Sequence, residues 1–277
     1  MYTGEISGAG DTVNIIVEPT ITVSAYTRGA GLSSQKLTDQ ELVLVVDKAN
    51  YFQFKVDDIE KSMSHVNWAS VATSSAAYAL KDAFDSEVLT YMSTNASTSS
   101  PDMVIGADDA TAGTLEDVDG GATESVFIGY TAATMTDPLD LMSRMARLLD
   151  AQNVPEEGRW FCAGPEFYEV LAKASSKLLS VDYNAGAGSI RNGLVASGKL
   201  RGFEMYKSNN MPAGSNSKIV LAGHMSAVAT AQTLTQTETL RDQDSIGDIV
   251  RGLHVYGRKI LRSNSLVKAF YNTTTDS

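Results

Sequence analysis

The chain has 277 residues and is 43% hydrophobic, enough to bury one large core or two smaller ones. Its net charge of −11 excludes a general nucleic-acid binder, because phosphate affinity comes from Lys and Arg. A single cysteine excludes a disulfide framework and a Cys-based zinc site, and no apolar run is long enough to span a membrane.

In chain order, Thr12–Val17 reads as a strand and Thr20–Tyr26 as a further extended piece. The polar, Gly-containing stretch 27–36 then reads as a loop tip. Glu41–Val56 is a long extended segment whose second half alternates, Tyr51, Gln53 and Lys55 against Phe52, Phe54 and Val56. Together these pieces predict a long hairpin, which needs another surface to lie on.

A long helix follows over 57–92. Ile59, Met63, Val66, Ser70, Thr73, Ala77, Leu80, Phe84, Val88 and Tyr91 recur at steps of three and four, so the spacing assigns them to one face. Asp57 and Glu60 have capping-box spacing, and that accounts for the Asp57-Asp58 pair better than acid–base chemistry does. At 1.5 Å per residue the helix is about 50 Å long, a strut that outruns its own core. Trp68 and Tyr78 read as packing residues on it.

Residues 93–125 are rich in Ser, Thr, Gly and Asp. The clusters Asp108-Asp109 and Glu116–Gly121 lack the ligand order of a calcium loop and read as solvated loop. Val126–Ile128 is a short strand. Thr136-Asp137-Pro138 then opens a helix to about Gln152, Arg159–Ala163 is a buried strand, and Gly164-Pro165 starts a helix to about Lys177. Lys199–Lys207 and Lys218–Ala222 read as strands, Thr237–Asp248 as charged and polar chain, and Leu253–Tyr256 and Lys259 onward as two strands.

No chemistry assembles along this path. Gly8-Ala9-Gly10 and Gly186-Ala187-Gly188 lack the Gly-Lys-Ser/Thr of a phosphate loop and do not complete a dinucleotide fingerprint. His65, His224 and His254 have no metal-chelating spacing, and no Ser elbow accompanies them. Cys162, beside Phe161, reads as a buried thiol. No catalytic residue, metal or cofactor is expected.

Five stretches, in this order, resemble the tailed-bacteriophage major capsid proteins of the Hong Kong 97 fold. They are Gly10–Ile15, Tyr51–Asp58, Asn153–Pro155 with Arg159–Phe161, Pro165–Leu171, and Arg201–Asn210. The resemblance implies an α+β fold with a long spine helix and an extended β-hairpin loop. Residues 1–56 would form the N-terminal remnant and extended loop, 57–92 the spine helix of a peripheral domain, and 93–225 an axial domain. Residues 226–258 would return to the peripheral domain as strands joined by a charged loop, Glu238 to Arg251, and 259–277 would be the terminal strand of the axial domain.

The implied function is self-assembly into pentameric and hexameric capsomers of an icosahedral shell around double-stranded DNA. The subunit would be made in the host cytoplasm and reside in the virion, with scaffolding, portal and decoration proteins as further partners. Inter-subunit contact is expected from Arg28, Lys36, Tyr51, Phe52 and Phe54 of the hairpin, and charge pairing between capsomers from Arg241, Asp242, Asp244, Asp248 and Arg251. No acceptor in this chain matches Lys36 for the Lys–Asn cross-link of the type member. Two other readings are an encapsulin-like cage around an enzyme cargo and an α/β enzyme using the Gly-rich loops.

Overall fold

The computed structural model describes residues 12–17, 21, 23, 25, 28, 31, 34–36, 40–57, 68–96, 103–109, 112–113, 124–130, 135–173, 199–243 and 246–273. The chain divides into two units. Unit 1 comprises Met1–Leu80 and Ala229–Leu261, and unit 2 comprises Lys81–Val228 and Arg262–Ser277.

In unit 1, β1 (Thr12–Val17) pairs antiparallel with β2 (Gln40–Val45), Thr12 opposite Val45 and Val17 opposite Gln40. This is the predicted hairpin, but it is shorter than expected. The stretch 41–56 is not one strand: it breaks after Val45, and β3 (Lys48–Asp57) joins a different sheet, antiparallel to β12 (Gly247–Ile260). Packing explains the break. Gly257 of β12 lies so close that a Cβ there would fall 2.4 Å from the Val45 carbonyl and 2.9 Å from Val46 Cα. The backbone of β12 thus packs directly on the chain at the break, with no room for a side chain between them.

The second sheet of unit 1 has the order β11-β12-β3, with β11 spanning Val228–Arg241. The expected charged loop Glu238–Arg251 is therefore mostly strand: β11 runs to Arg241 and β12 begins at Gly247. Its charges were misread as loop because they pair across the ladder instead of facing water alone. Likewise Leu253–Tyr256 and Lys259 belong to one strand. Ile15, Leu44, Val46, Ala231 and Val255 form a small core that both sheets share.

The helix α1 spans Trp68–Thr94, and the unit boundary falls within it, between Leu80 and Lys81. Residues 58–67 lie outside the described residues, and Asp57 ends β3, so the predicted capping box and the first turns of the helix are not seen. The predicted face holds in the second half of α1, where Leu80, Phe84, Val88 and Tyr91 are covered, and differs in the first half. Ser70, Thr73 and Ala77 are exposed, while Ala72, Ala76, Leu80, Phe84 and Val88 are partly covered at steps of four. Ser, Thr and Ala carry too little apolar area to fix which side of a helix is buried, so spacing does not decide between Thr73, Ala77 and Ala72, Ala76 in the first half.

Unit 2 is built on a mixed sheet of order β5-β6-β13-β10-β7-β9-β8, with β4 also pairing β13. Its strands are β4 (Val104–Ile105), β5 (Ala112–Gly113), β6 (Ser125–Ile128), β7 (Arg159–Ala163), β8 (Lys199–Leu200), β9 (Phe203–Lys207), β10 (Lys218–His224) and β13 (Leu266–Thr273). The expected single strand Lys199–Lys207 is a tight hairpin instead. Arg201 and Gly202 take φ of 51° and 84°, the left-handed pair that a two-residue turn of right-twisted strands requires.

Helix α2 (Pro138–Ala151) starts where the cap signal placed it: Asp137 Oδ1 accepts the Leu139 N–H at 2.9 Å, and Pro138 occupies the first turn. Leu139, Met142, Met145 and Leu149 are buried and join Phe161, Phe167, Phe203 and Tyr271 in the core. The Phe167 ring meets Phe161 at 5.2 Å and Tyr271 edge-on at 5.6 Å. Helix α3 (Pro165–Leu171) is capped at Ala172, earlier than Lys177. Between α2 and β7, the Arg159 side chain is only 5% exposed. It donates from Nη2 to Asp150 Oδ1 (2.7 Å) and the Val154 carbonyl (2.5 Å), and from Nε to the Pro155 carbonyl (2.9 Å). That explains why Asn153-Val154-Pro155 and Arg159 act as one sequence block: the guanidinium ties the turn shut.

Candidate assembly surface

The described residues of unit 1 carry an unusual load of exposed apolar side chains. Ile21, Val23, Val43, Val45, Tyr51, Trp68, Val71, Tyr78, Leu240, Ile246 and Leu253 are all exposed, and outside unit 1 only Tyr206 and Met225 join them among the described residues. Their order follows from secondary structure. On β3 the alternation holds: Tyr51, Gln53 and Lys55 are exposed and Phe52, Phe54 and Val56 are covered. Tyr51 lies opposite Leu253 in the β3–β12 register, so the two form an exposed apolar cross-strand pair. Val43 and Val45 alternate outward on β2 in the same way. On α1, Trp68, Val71 and Tyr78 recur at helical spacing, 50%, 52% and 73% exposed. The expectation that Trp68 and Tyr78 pack within the chain is thus corrected.

Of the hairpin residues expected at subunit contacts, Arg28, Lys36 and Tyr51 are exposed. Phe52 and Phe54 are half-buried, their rings stacked at 6.1 Å, and Phe52 lies over Gly252, which stands opposite it on β12. They serve the sheet's own packing first.

The charged residues are also brought together within the chain. Arg241 Nη1 meets Asp248 Oδ1 at 3.0 Å, and Arg251 places Nη2 at 2.6 Å and Nε at 3.0 Å from Glu238 Oε2. Lys55 Nζ reaches Asp242 Oδ2 at 2.5 Å. Asp244 lies outside the described residues. These charges therefore present themselves as intrachain pairs, each with at least one partner exposed to water.

Unit 2 contains a groove of about 460 Å³ lined by Phe84, Val88, Leu89 and Met92 of α1 with Trp160 and Tyr206. Cys162 lies in its wall. The thiol is 7% exposed, and burial, reinforced by the Asp85 carboxylate, pushes its pKa up to about 11. This is the inert buried thiol that the sequence predicted. The Asp108 carboxylate is engaged within the chain: it accepts the N–H groups of Ser215 (2.6 Å), Asn216 (3.0 Å) and Ser217 (3.0 Å) and the Ser217 hydroxyl (2.8 Å). Those bonds, the Asn216 amide foremost, hold its pKa below the usual carboxylate value. His224 and His254 belong to different units, and among the described residues no group of His, Cys, Asp and Glu has the arrangement of a metal site. His65, the loops around Gly8 and Gly186, and the acidic run 116–121 lie outside the described residues.

A model of the phage capsid protein family matches residues 39–269, so the chain belongs to that family. Its fold is that of phage major capsid proteins. It aligns with the solved structure titled Mycobacterium phage Che8 at TM-score 0.67 and 27% identity, over 96% of this chain and 85% of that one. The capsid of cyanophage P-SCSP1u gives TM-score 0.71 at 20% identity, over 97% and 85%. A virus-like particle from Pyrococcus furiosus gives TM-score 0.51 at 13% identity, over 95% and 87%. No curated protein matches the chain. The protein is accordingly a structural component of a viral capsid, α+β in class and not an enzyme.

Proposed function

We propose that this subunit assembles into pentamers and hexamers that tile an icosahedral shell around double-stranded DNA, with unit 1 supplying the principal contacts between copies. The carrying observation is the concentration of exposed apolar side chains in unit 1, on the β1–β2 hairpin, on β3 and on the first half of α1. A monomer rarely exposes so much apolar surface without a partner. Permanent interfaces commonly bury about 2,000 Å² or more, which side chains such as Tyr51, Trp68 and Tyr78 would supply. Family membership supports the shell, and the acidic balance of the chain suits a wall to which packed DNA does not adhere. On this reading unit 1 is the peripheral domain with its extended loop, unit 2 is the axial domain, and scaffolding, portal and decoration proteins complete the particle in the host cytoplasm.

The likeness to the Pyrococcus furiosus virus-like particle favours a second reading, a cage around a protein cargo. Electron microscopy of particles recovered from expression of the full chain, alone and with a scaffold, tests both. Shells holding DNA support the first reading and shells holding protein the second. A monomer that never assembles under any of these conditions sinks both. Tyr51→Ser is the matching variant: it should leave the circular dichroism and melting of the subunit unchanged while lowering particle yield. Normal yield would remove Tyr51 from the contact.

A further inference from the structure

The chain leaves unit 2 after Val228 and returns to it at Arg262. Just before the exit, residues Met225–Ala227 form a 3-10 turn, and just after the return Ser263–Ser265 form another. The Arg262 N–H donates to the Ala227 carbonyl at 3.3 Å, so exit and return are tied together within unit 2. One histidine holds this junction.

His224 is the cap of the first turn. Its Nδ1 accepts the Ser226 backbone N–H at 3.2 Å and lies 2.8 Å from the Ser226 hydroxyl. Its Nε2 lies 2.8 Å from the Glu157 carbonyl. A carbonyl oxygen only accepts and a backbone N–H only donates, so the two contacts fix one form of the ring: neutral, with the proton on Nε2. The neighbouring turn is shaped to the ring. Gly158 has φ of 77°, a Cβ there would meet Nε2 at 3.3 Å, and its carbonyl accepts the Met225 N–H at 3.2 Å.

We propose that His224 is a protonation-sensitive latch on the turn through which the chain passes from unit 2 to unit 1. A proton on Nδ1 turns the acceptor into a donor. The Ser226 N–H then faces N–H and loses its acceptor, while the Ser226 hydroxyl at 2.8 Å turns to accept the new proton, so the ring keeps a side-chain contact but no longer caps the 225–227 backbone. The Nε2 contact to Glu157 survives, so the ring stays seated while the turn is released. Charged groups reach this junction from three elements. Arg159 stands opposite His224 in register on β7, with its guanidinium already bound to Asp150, and Glu156 and Glu157 lie on the turn before β7. Arg262 lies on the returning segment. The end of β13, where Leu266 pairs with Gly223, brings no charge. The inference stands on the local geometry and does not require the shell reading to be correct.

Hydrogen exchange of the full chain, corrected for intrinsic rates, tests it. Between about pH 7.5 and about pH 5.5 the amides of 226–228 should lose roughly tenfold protection in the wild type, the size of one lost hydrogen bond. In His224→Gln, which cannot be protonated, protection over 226–228 should not change with pH. The same acid response in the variant, or none in the wild type, overturns the proposal. Should the variant fail to fold, nitrogen-15 spectra of the wild-type histidines carry the test. An Nε2–H tautomer for the ring bonded to Glu157 supports the latch, and an Nδ1–H tautomer at about pH 7.5 overturns it.

Discussion

Arg251 and Glu238 face each other across the β11–β12 ladder, two guanidinium nitrogens converging on a single carboxylate oxygen at 2.6 and 3.0 Å. With the Arg251 side chain 51% exposed, the pair is partly solvated, and such pairs contribute about 0.2–1 kcal/mol. Arg251→Ala and Glu238→Ala should therefore each lower subunit stability by at most about 1 kcal/mol in urea titrations, and the double variant should show coupling of similar size. A far larger loss of particle yield than of stability would assign the pair to contacts between copies.

Asp108 offers a pH test. Its folded pKa is lowered, so its contribution is fully present above the ordinary aspartate value of about 3.9 and is lost as pH falls through the lower folded value. Asp108→Asn should destabilise unit 2 by at most about 1 kcal/mol at neutral pH, because the site is solvated and Asn keeps a neutral acceptor for the N–H groups that Asp108 binds. The difference from wild type should shrink steadily below about pH 3.9. An acid titration of the urea midpoint for both proteins checks this, and a difference independent of pH would contradict it.

Cys162 provides a readout of native packing. With its pKa pushed up to about 11 and its side chain buried, it should react with a disulfide reagent at about pH 8 at least a hundredfold more slowly in the native chain than in denaturant. Comparable rates would mean that the groove wall opens readily.

How much of this was legible in the sequence depends on where each element's information lies. Asp137-Pro138 and Gly164-Pro165 mark helix starts by local chemistry, and both helices begin there. Strand β7 reads as buried from its own composition. The break after Val45 was invisible because its cause, Gly257, is more than two hundred residues away. Strand β11 is implied by the resemblance, as part of the strands over 226–258, but not by its own composition: Thr, Gln and Glu alternate there with few large apolar residues, so its run past Glu238 is missed. On α1, the small residues between Trp68 and Leu80 leave the buried face undetermined, so only the structure shows which large side chains are left outside. The candidate surface was thus half-read. Tyr51 is named through the resemblance, while Trp68 and Tyr78 read as packing residues.

The place of β13 in its sheet has a kinetic consequence. It lies between β6 and β10, in the interior of the strand order, yet it follows every other strand of that sheet in the chain. The chain must finish its whole excursion through residues 229–261 before the interior of the sheet can be filled. Closure is therefore non-local, and such closures are slow. While β13 is missing, β6 and β10 each lack a partner strand. A subunit interrupted at that stage exposes two strand edges, so timing of synthesis, chaperoning or a co-expressed helper should affect the yield of this protein more than the strength of any one contact.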